Sequence, residues 1–485
     1  MMCRHAFLAI IAFARPVAAF PALFILLLLP PTPAFAATKN LNGSVGGCPL
    51  GSNWSTSACW TPAGAPGTGD DVVIDMSQGA GGAACPTNYD LPSTVQLHSL
   101  TMNSCNGGGG ILAIAGGPIV LQSGGTITDT FNNANTSPAD SVPGVTLNGS
   151  TTFSLATSGG NADALHFTGA ITGTGPLTLS STGPTDGLQL LTVNSYTGAT
   201  TVSGTARVRF DVNGAVPTSS ALTVNGSALF QAASTIGSLA GGGNVFMNGS
   251  NALTVGGDNT STTFSGVYQN SGGAAALTKA GTGTLTLSGA NTYTGATTVN
   301  AGTLAVNGSI ASPVTVNSGG TLGGTGTFNA VTVNNGGTLG PGLSTGIMNT
   351  GNLTLTSGST LTIEINGPTV GTQYDQVNVT GTVTLGGATL NVVLGFTPTA
   401  GQVFTIINND STDAVTGTFA GLPEGATFTV GSTQFHISYV GSNDVTLTAV
   451  GTQAIPTLSE WAQLAMVALL VGGGLLALRR HVRPA

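Results

Sequence analysis

Two carboxylate pairs, Asp70/Asp71 and Asp410/Asp413, and three isolated histidines, His98, His166 and His436, are the residues of this 485-residue chain with types suited to chemistry. Paired acids can cleave a glycosidic bond, one as general acid and the other as base or nucleophile. A polysaccharide lyase or hydrolase would also want Arg or Lys in the same groove, and neither pair has one nearby in sequence. Asp favours turns because its side chain bonds its own backbone. Asp70/Asp71 directly precede the strand-like "VVI", and Asp410/Asp413 lie in the loop-like "NNDSTD", so both pairs read as turn residues. "NNDSTD" offers oxygen ligands but lacks the EF-hand spacing for calcium. The histidines stand singly among strands, no Gly-x-Ser-x-Gly elbow has supporting partners, and Lys279 is followed by Ala280 where a phosphate loop needs Ser or Thr. The expectation is no enzyme, no cofactor and no metal. Trp54 and Trp60 could stack on sugar rings, although covering the open end of a repeat array is the simpler duty.

The elements that would position such residues follow from composition. Charged residues make up 5% of the chain and hydrophobic residues 41%, with 75 glycines. A disordered chain would need more charge and fewer β-branched residues, and collagen would need a strict three-residue glycine period. Sparse Lys, Glu and Arg with abundant Thr and Val disfavour helix and favour strand. The formal net charge is −8, and between Ala37 and Ala454 the only basic residues are Lys39, Arg207, Arg209 and Lys279. Nothing there can neutralise a row of phosphates, so nucleic acid is excluded as a partner.

Both ends read as address signals. Residues 1–36 carry Arg4 and Arg15, then an apolar stretch, then Ala34-Phe35-Ala36. Small residues at the last and third-last positions fit signal-peptidase cleavage after Ala36, with an uncleaved anchor as the alternative. In an exported chain Cys48, Cys59, Cys85 and Cys105 predict two disulfides in one of three pairings. The rival is a zinc site, for which no Cys-x-x-Cys spacing is present. Residues 462–478 hold no charge, which is near the short limit for a membrane-spanning helix. Arg479, Arg480 and Arg483 in the 479–485 tail would then stay cytoplasmic.

Repetition sets the fold. "VTVNSGGTLG" begins at Val314 and "VTVNNGGTLG" at Val331; "NSYTGATTV" begins at Asn194 and "NTYTGATTV" at Asn291. Each phrase alternates, as where Leu285 and Leu287 face one way and Thr284 and Thr286 the other. Asn-Gly and Gly-Gly pairs follow at the corners. One such unit cannot bury its apolar face, but a stack can. The expected fold is all-β: a right-handed parallel β-helix, with a β-sandwich as the alternative.

Several segments resemble a known family. "IGSLAGGGNV" from Ile236, "LTVGGDNTSTTFSGVYQ" from Leu253 and "LTKAGTGTLTLSGANTYTGATTVNAGTLAVNG" from Leu277 resemble the passenger-associated transport repeat of bacterial autotransporters. "GGTLGPG" from Gly336 and "QYDQVNVTGTVTLGGATLNV" from Gln373 are similar to the downstream part of such passengers. The resemblance implies a surface or secreted β-helix, adhesive or structural, and transfers no catalytic residue. Autotransporters end in a membrane β-barrel, whereas this chain ends in Ile455-Pro456-Thr457-Leu458-Ser459-Glu460-Trp461, an apolar run and arginines. That ending resembles the IPTL-type sorting signal of Gram-negative bacteria, with Ala462 where the family usually has Gly. The resemblance implies an exosortase-like membrane enzyme that cuts near the motif and sends the protein outward.

The expected organisation is a signal peptide at 1–36 and a disulfide-containing N-terminal cap with first strands at 37–110. A β-helix follows at 111–395, clearest at 235–310, then a C-terminal β region or cap at 396–454. The sorting signal occupies 455–485, with its motif at 455–461. The expected product is an exported, cell-surface structural or adhesin-like protein, first held at the inner membrane, whose partners include glycans or other surface proteins. The alternative is a secreted polysaccharide-active β-helix enzyme or a carbohydrate-binding module.

Overall fold

A computed structural model describes residues 37–42, 60–75, 89–91, 96–103, 114–131, 140–157, 165–182, 187–410, 413–441, 443–452 and 462–471. Ala34, Ala36, the four cysteines, Trp54, the motif 455–461 and the terminal arginines lie outside these residues. Strands joined by turns and short loops make up the described part apart from one helix, and most of the pairing is parallel between strands one coil apart.

Four long ladders carry the stack. One links Asp70–Asp75, Gln96–Asn103, Ile119–Phe131, Thr151–Thr157, Leu177–Ser181, Thr200–Gly204 and Leu222–Val224 in parallel. A second begins at Asp140–Val142 and ends at Val267–Ser271. Two more run through the C-terminal half: one from Ser234–Ile236 to Val403–Asn409, the other from Thr262–Phe264 to Thr389–Leu394. The 17-residue phrase is one coil, since Val314 pairs Val331 and Thr321 pairs Thr338 in register. The later phrase "LTLTSGSTL" keeps that register, with Val333 against Leu355. Its extra residues loop out beyond Gly340.

Constant register stacks like on like. Leu100, Ile127, Phe153, Leu179 and Val202 form an inner column, each fully buried. Aromatic pairs fill the wider layers, as in Phe153–Phe167 with centroids 4.3 Å apart and Phe210–Phe230 at 4.9 Å. Corners demand glycine where coils come close. Gly336 has a left-handed φ of 76°, and a Cβ there would meet Ser318 Oγ at 2.5 Å.

The phrase Asn-x-Tyr-Thr-Gly-Ala-Thr-Thr proves to be an internal tie. Asn291 Oδ1 accepts from Tyr268 N at 2.9 Å, and its Nδ2 donates to Gly289 O at 3.0 Å and Ser309 O at 3.2 Å. One side chain thus bonds the coil before and the coil after. The Tyr293 hydroxyl is 2.6 Å from Thr297 Oγ1, which is 2.7 Å from Ser312 Oγ. The earlier copy repeats the design through Asn194, Tyr196, Thr200 and Ser220. Buried polar groups cost stability unless paired, and these are paired across coils.

The stack ends differently from how it runs. After Val403–Asn409 the pairing turns antiparallel, with Val445–Thr452, Thr433–Ser438 and Thr427–Val430 closing the ladder. Phe404 lies 5.3 Å from Tyr374, 6.0 Å from Phe396 and 6.3 Å from Phe435, edge-on each time. Phe428 stacks on Phe435 at 5.9 Å. This aromatic cluster shields the last parallel coil from water.

Replacing Asn291 with Ala removes three hydrogen bonds, two of them cross-coil, and should cost about 2–4 kcal/mol, because the buried partners lose their bonding. Thr298→Ala, on the outer face of the same coils, should stay within about 0.5 kcal/mol. Urea unfolding of the two variants beside the parent measures the difference.

Candidate functional surface and sorting signal

Of the residues singled out for chemistry, Asp71 and His98 meet; the other described ones do not converge. Asp70 Oδ2 accepts Gly67 N at 2.7 Å, which is turn duty. Asp71 Oδ1 accepts from Ser99 Oγ at 2.6 Å and lies 2.7 Å from His98 Nδ1. Burial works against the Asp71 charge, but the bonds from Ser99 and His98 and the histidine's charge hold its carboxyl below the usual range. A catalytic Ser must bond to the His, which in turn bonds the acid. Here Ser99 and His98 both bond the same carboxylate oxygen, and the serine hydroxyl is tied to the acid. His166 is pushed down mainly by burial, opposed by Asp211. His436 pairs Thr427 in the terminal antiparallel sheet, far along the chain from either. Near Asp410 and Asp413, Asn409 Nδ2 donates to Asp413 O at 2.7 Å. Among the described residues no group of three or more His, Cys, Asp or Glu could hold a metal. Trp60 is buried against Leu41 at the first described rung, so it offers no platform for a sugar.

The basic residues are occupied locally. Arg209 Nε pairs with Asp211, and the Arg207 guanidinium sits 5.2 Å from the Phe246 ring centre. Lys279 is buried between Val255 and Val299 in an inward column, and its ammonium donates to Ala280 O, Gly281 O and Ala301 O. Burial holds that ammonium's pKa below the ordinary lysine value.

The outer surface carries an ordered pattern instead. On the N-terminal ladder Ser99, Thr126, Thr152, Thr178, Thr201 and Thr223 form one column. Thr101, Thr128, Ser154, Ser180 and Ser203 form a second column two residues along the strands. Ranks repeat at about 4.8 Å and columns at about 7 Å, the strand spacing and the two-residue rise. On a C-terminal ladder Thr254, Thr278, Thr298, Thr315, Thr332, Thr354 and Thr384 make a third column. Beside it an amide ladder runs Asn334 Nδ2 to Asn317 Oδ1 at 2.9 Å and Asn317 Nδ2 to Asn300 Oδ1 at 2.8 Å. Apart from Asp71, which continues the first column beyond Ser99, these columns are uncharged, half-buried and rich in hydroxyls, a chemistry of many weak hydrogen bonds.

Of the expected membrane-spanning helix at 462–478, only the first part falls among the described residues. The described helix covers 462–471, and all its residues are exposed. Ten residues rise about 15 Å, half a bilayer's hydrocarbon thickness. Among the described residues no helix is long and apolar enough to cross a membrane. The rest of the expected span, 472–478, lies outside them.

Comparison with known families agrees with both ends of this reading. The model of the passenger-associated-transport-repeat matches residues 277–306, which include Lys279, Asn291 and Tyr293. The model of the IPTL-CTERM motif matches residues 453–481. No curated protein matches the chain. The chain thus carries a passenger-associated-transport-repeat and an IPTL-type sorting signal. That signal implies an exported, cell-surface protein processed by a sorting enzyme of the exosortase-like kind.

Sequence reasoning missed a strongly displaced carboxyl. Asp375 is buried, and burial raises its pKa to about 7 even though Glu364 N and Gly346 N donate to it at 2.8 and 2.7 Å. No motif marks it, because a lone Asp after Tyr374 looks like any turn residue. Its folded pKa exceeds its unfolded value near 3.9, so the folded state holds the extra proton between those limits. This group's contribution should therefore fall as pH rises from about 4 to about 7. Asp375→Asn should flatten that part of the stability-versus-pH curve, read by thermal melts at stepped pH.

Proposed function

We propose that this is an exported structural or adhesin-like protein built as a right-handed parallel β-helix. Its C-terminal signal holds it at the inner membrane until an exosortase-like enzyme cuts near Ile455–Leu458. Right-handedness is supported by the rule that parallel strands of one sheet are joined by right-handed connections in nearly all cases. The observation that carries the reading is the sorting motif following a stack whose outer faces are hydroxyl columns rather than a catalytic groove. The apolar run 462–478 serves as the temporary anchor, with Trp461 at the headgroup level and Arg479, Arg480 and Arg483 retained inside. Residues 1–36 direct export, and Cys48, Cys59, Cys85 and Cys105 staple the N-terminal cap.

Outside the cell, the threonine and serine columns bind neutral glycans or neighbouring surface proteins through many repeated weak contacts. An uncharged face suits an uncharged polymer because no ion must be stripped of water on contact.

Pro456→Ala with Thr457→Ala should leave a full-length, membrane-associated form, whereas the parent yields a shorter product outside the inner membrane. Immunoblots of fractionated cells and intact-mass analysis distinguish the two. Equal size and location for both would defeat the sorting role. Thr152→Val with Thr178→Val and Thr201→Val keeps shape and removes three ranked hydroxyls. Retention on neutral polysaccharide resin should drop several-fold.

A further inference from the structure

We infer that the C-terminal antiparallel sheet is a docking surface for the sorting enzyme itself, an inference that rests on the sorting role proposed above. The argument begins with chain length. The last described strand ends at Thr452, and Ile455 follows three residues later, so the motif's first residue lies no more than about 11 Å from the sheet. Thr452 pairs directly with Thr433. An enzyme that grips Ile455–Leu458 is far wider than that tether, so it must rest against the sheet wherever it binds the motif.

The surface at that spot is shaped to receive it. Thr433 lines an open groove of about 340 Å³, whose walls are Leu394–Thr397 on one side and Val430–Thr433 on the other. None of these residues is charged. Each wall continues from a strand at the edge of its sheet: Thr389–Leu394 pairs only Thr360–Ile365, and Thr427–Val430 pairs only Thr433–Ser438 among the described residues. Edge strands present unpaired backbone groups to which an extended segment can add. A register shift on the final strand sets Gly451 against Gln434 and Ala449 against Phe435, leaving Val450 between them. Val450 is 52% exposed two residues before the chain leaves the sheet. The partner's matching element is therefore an uncharged extended segment of a membrane enzyme, which reads the groove together with the motif.

The test uses the full-length chain expressed in a host that holds the enzyme, with processing followed by pulse-chase. Thr397→Arg with Ser432→Arg fills the groove from two exposed positions, where surface changes cost little stability. Val440→Arg changes an equally exposed site away from the groove, and a ten-residue Gly/Ser insert after Thr452 detaches the motif from the sheet. The groove variant and the insert should slow processing about tenfold, and Val440→Arg should leave it unchanged. Parental rates for the groove variant and insert, with the Pro456/Thr457 variant still blocked, would overturn the docking surface while leaving the sorting role intact. Faster processing of the insert would also overturn it, by showing the sheet to be an obstacle. Normal processing of the Pro456/Thr457 variant would instead remove the sorting role from which the inference starts.

Discussion

The structure depends on one constraint: successive coils pair in parallel and largely in register, so most inward residues stand over apolar counterparts. A parallel ladder sets strands about 4.8 Å apart, and side chains alternate strictly between faces. A slip of one residue would turn an entire apolar column outward. The inner sequence must therefore stay aliphatic or aromatic coil after coil, as from Leu100 to Val202. The outer sequence is free of that demand, and here it is threonine, serine and asparagine. The same register that builds the core thus prints a regular array on the surface. Core and candidate binding face are two sides of one ladder.

Register also explains how polar groups enter the interior. Asn291 and Asn194 act across coils because their neighbours above and below are always the same backbone groups. Lys279 replaces an aliphatic residue in a column between Val255 and Val299, and its ammonium reaches corner carbonyls of two coils. Its charge is met without a carboxylate, so the chain keeps its low charge density. Stability in such a stack is close to a sum of coil terms and neighbour terms. Ends are then the weak points, and the aromatic cluster around Phe404 covers one of them.

Much of the fold was legible because the sequence repeats. The step from Val314 to Val331 in near-identical words identified a coil, and the Leu285/Leu287 alternation named its inner face. What stayed hidden was meaning within the words. Asn-x-Tyr-Thr was visible twice, but only the folded arrangement shows the asparagine tying three coils and the tyrosine hydroxyl capped inside the core. The terminal antiparallel sheet gave no periodic signal, since its strands alternate as any strand does. Asp375 was invisible because burial, which displaces it, is a property of neighbours distant in sequence. The tail's motif was legible as a string of residue types, and the described helix at 462–471 lies within the apolar run beside it.

The central claim is coil-on-coil register, and an engineered cross-link tests it directly. Thr315 and Thr332 are paired one coil apart, whereas Thr298 and Thr332 are two coils apart. Paired positions in neighbouring strands sit about 4.8 Å apart, inside the span a disulfide bridges, while two coils exceed it. Peptide mapping of oxidised protein should find the 315–332 disulfide in Thr315→Cys/Thr332→Cys and no 298–332 disulfide in Thr298→Cys/Thr332→Cys. Failure of the first pair to close, or equal closure of both, would contradict the stacked arrangement.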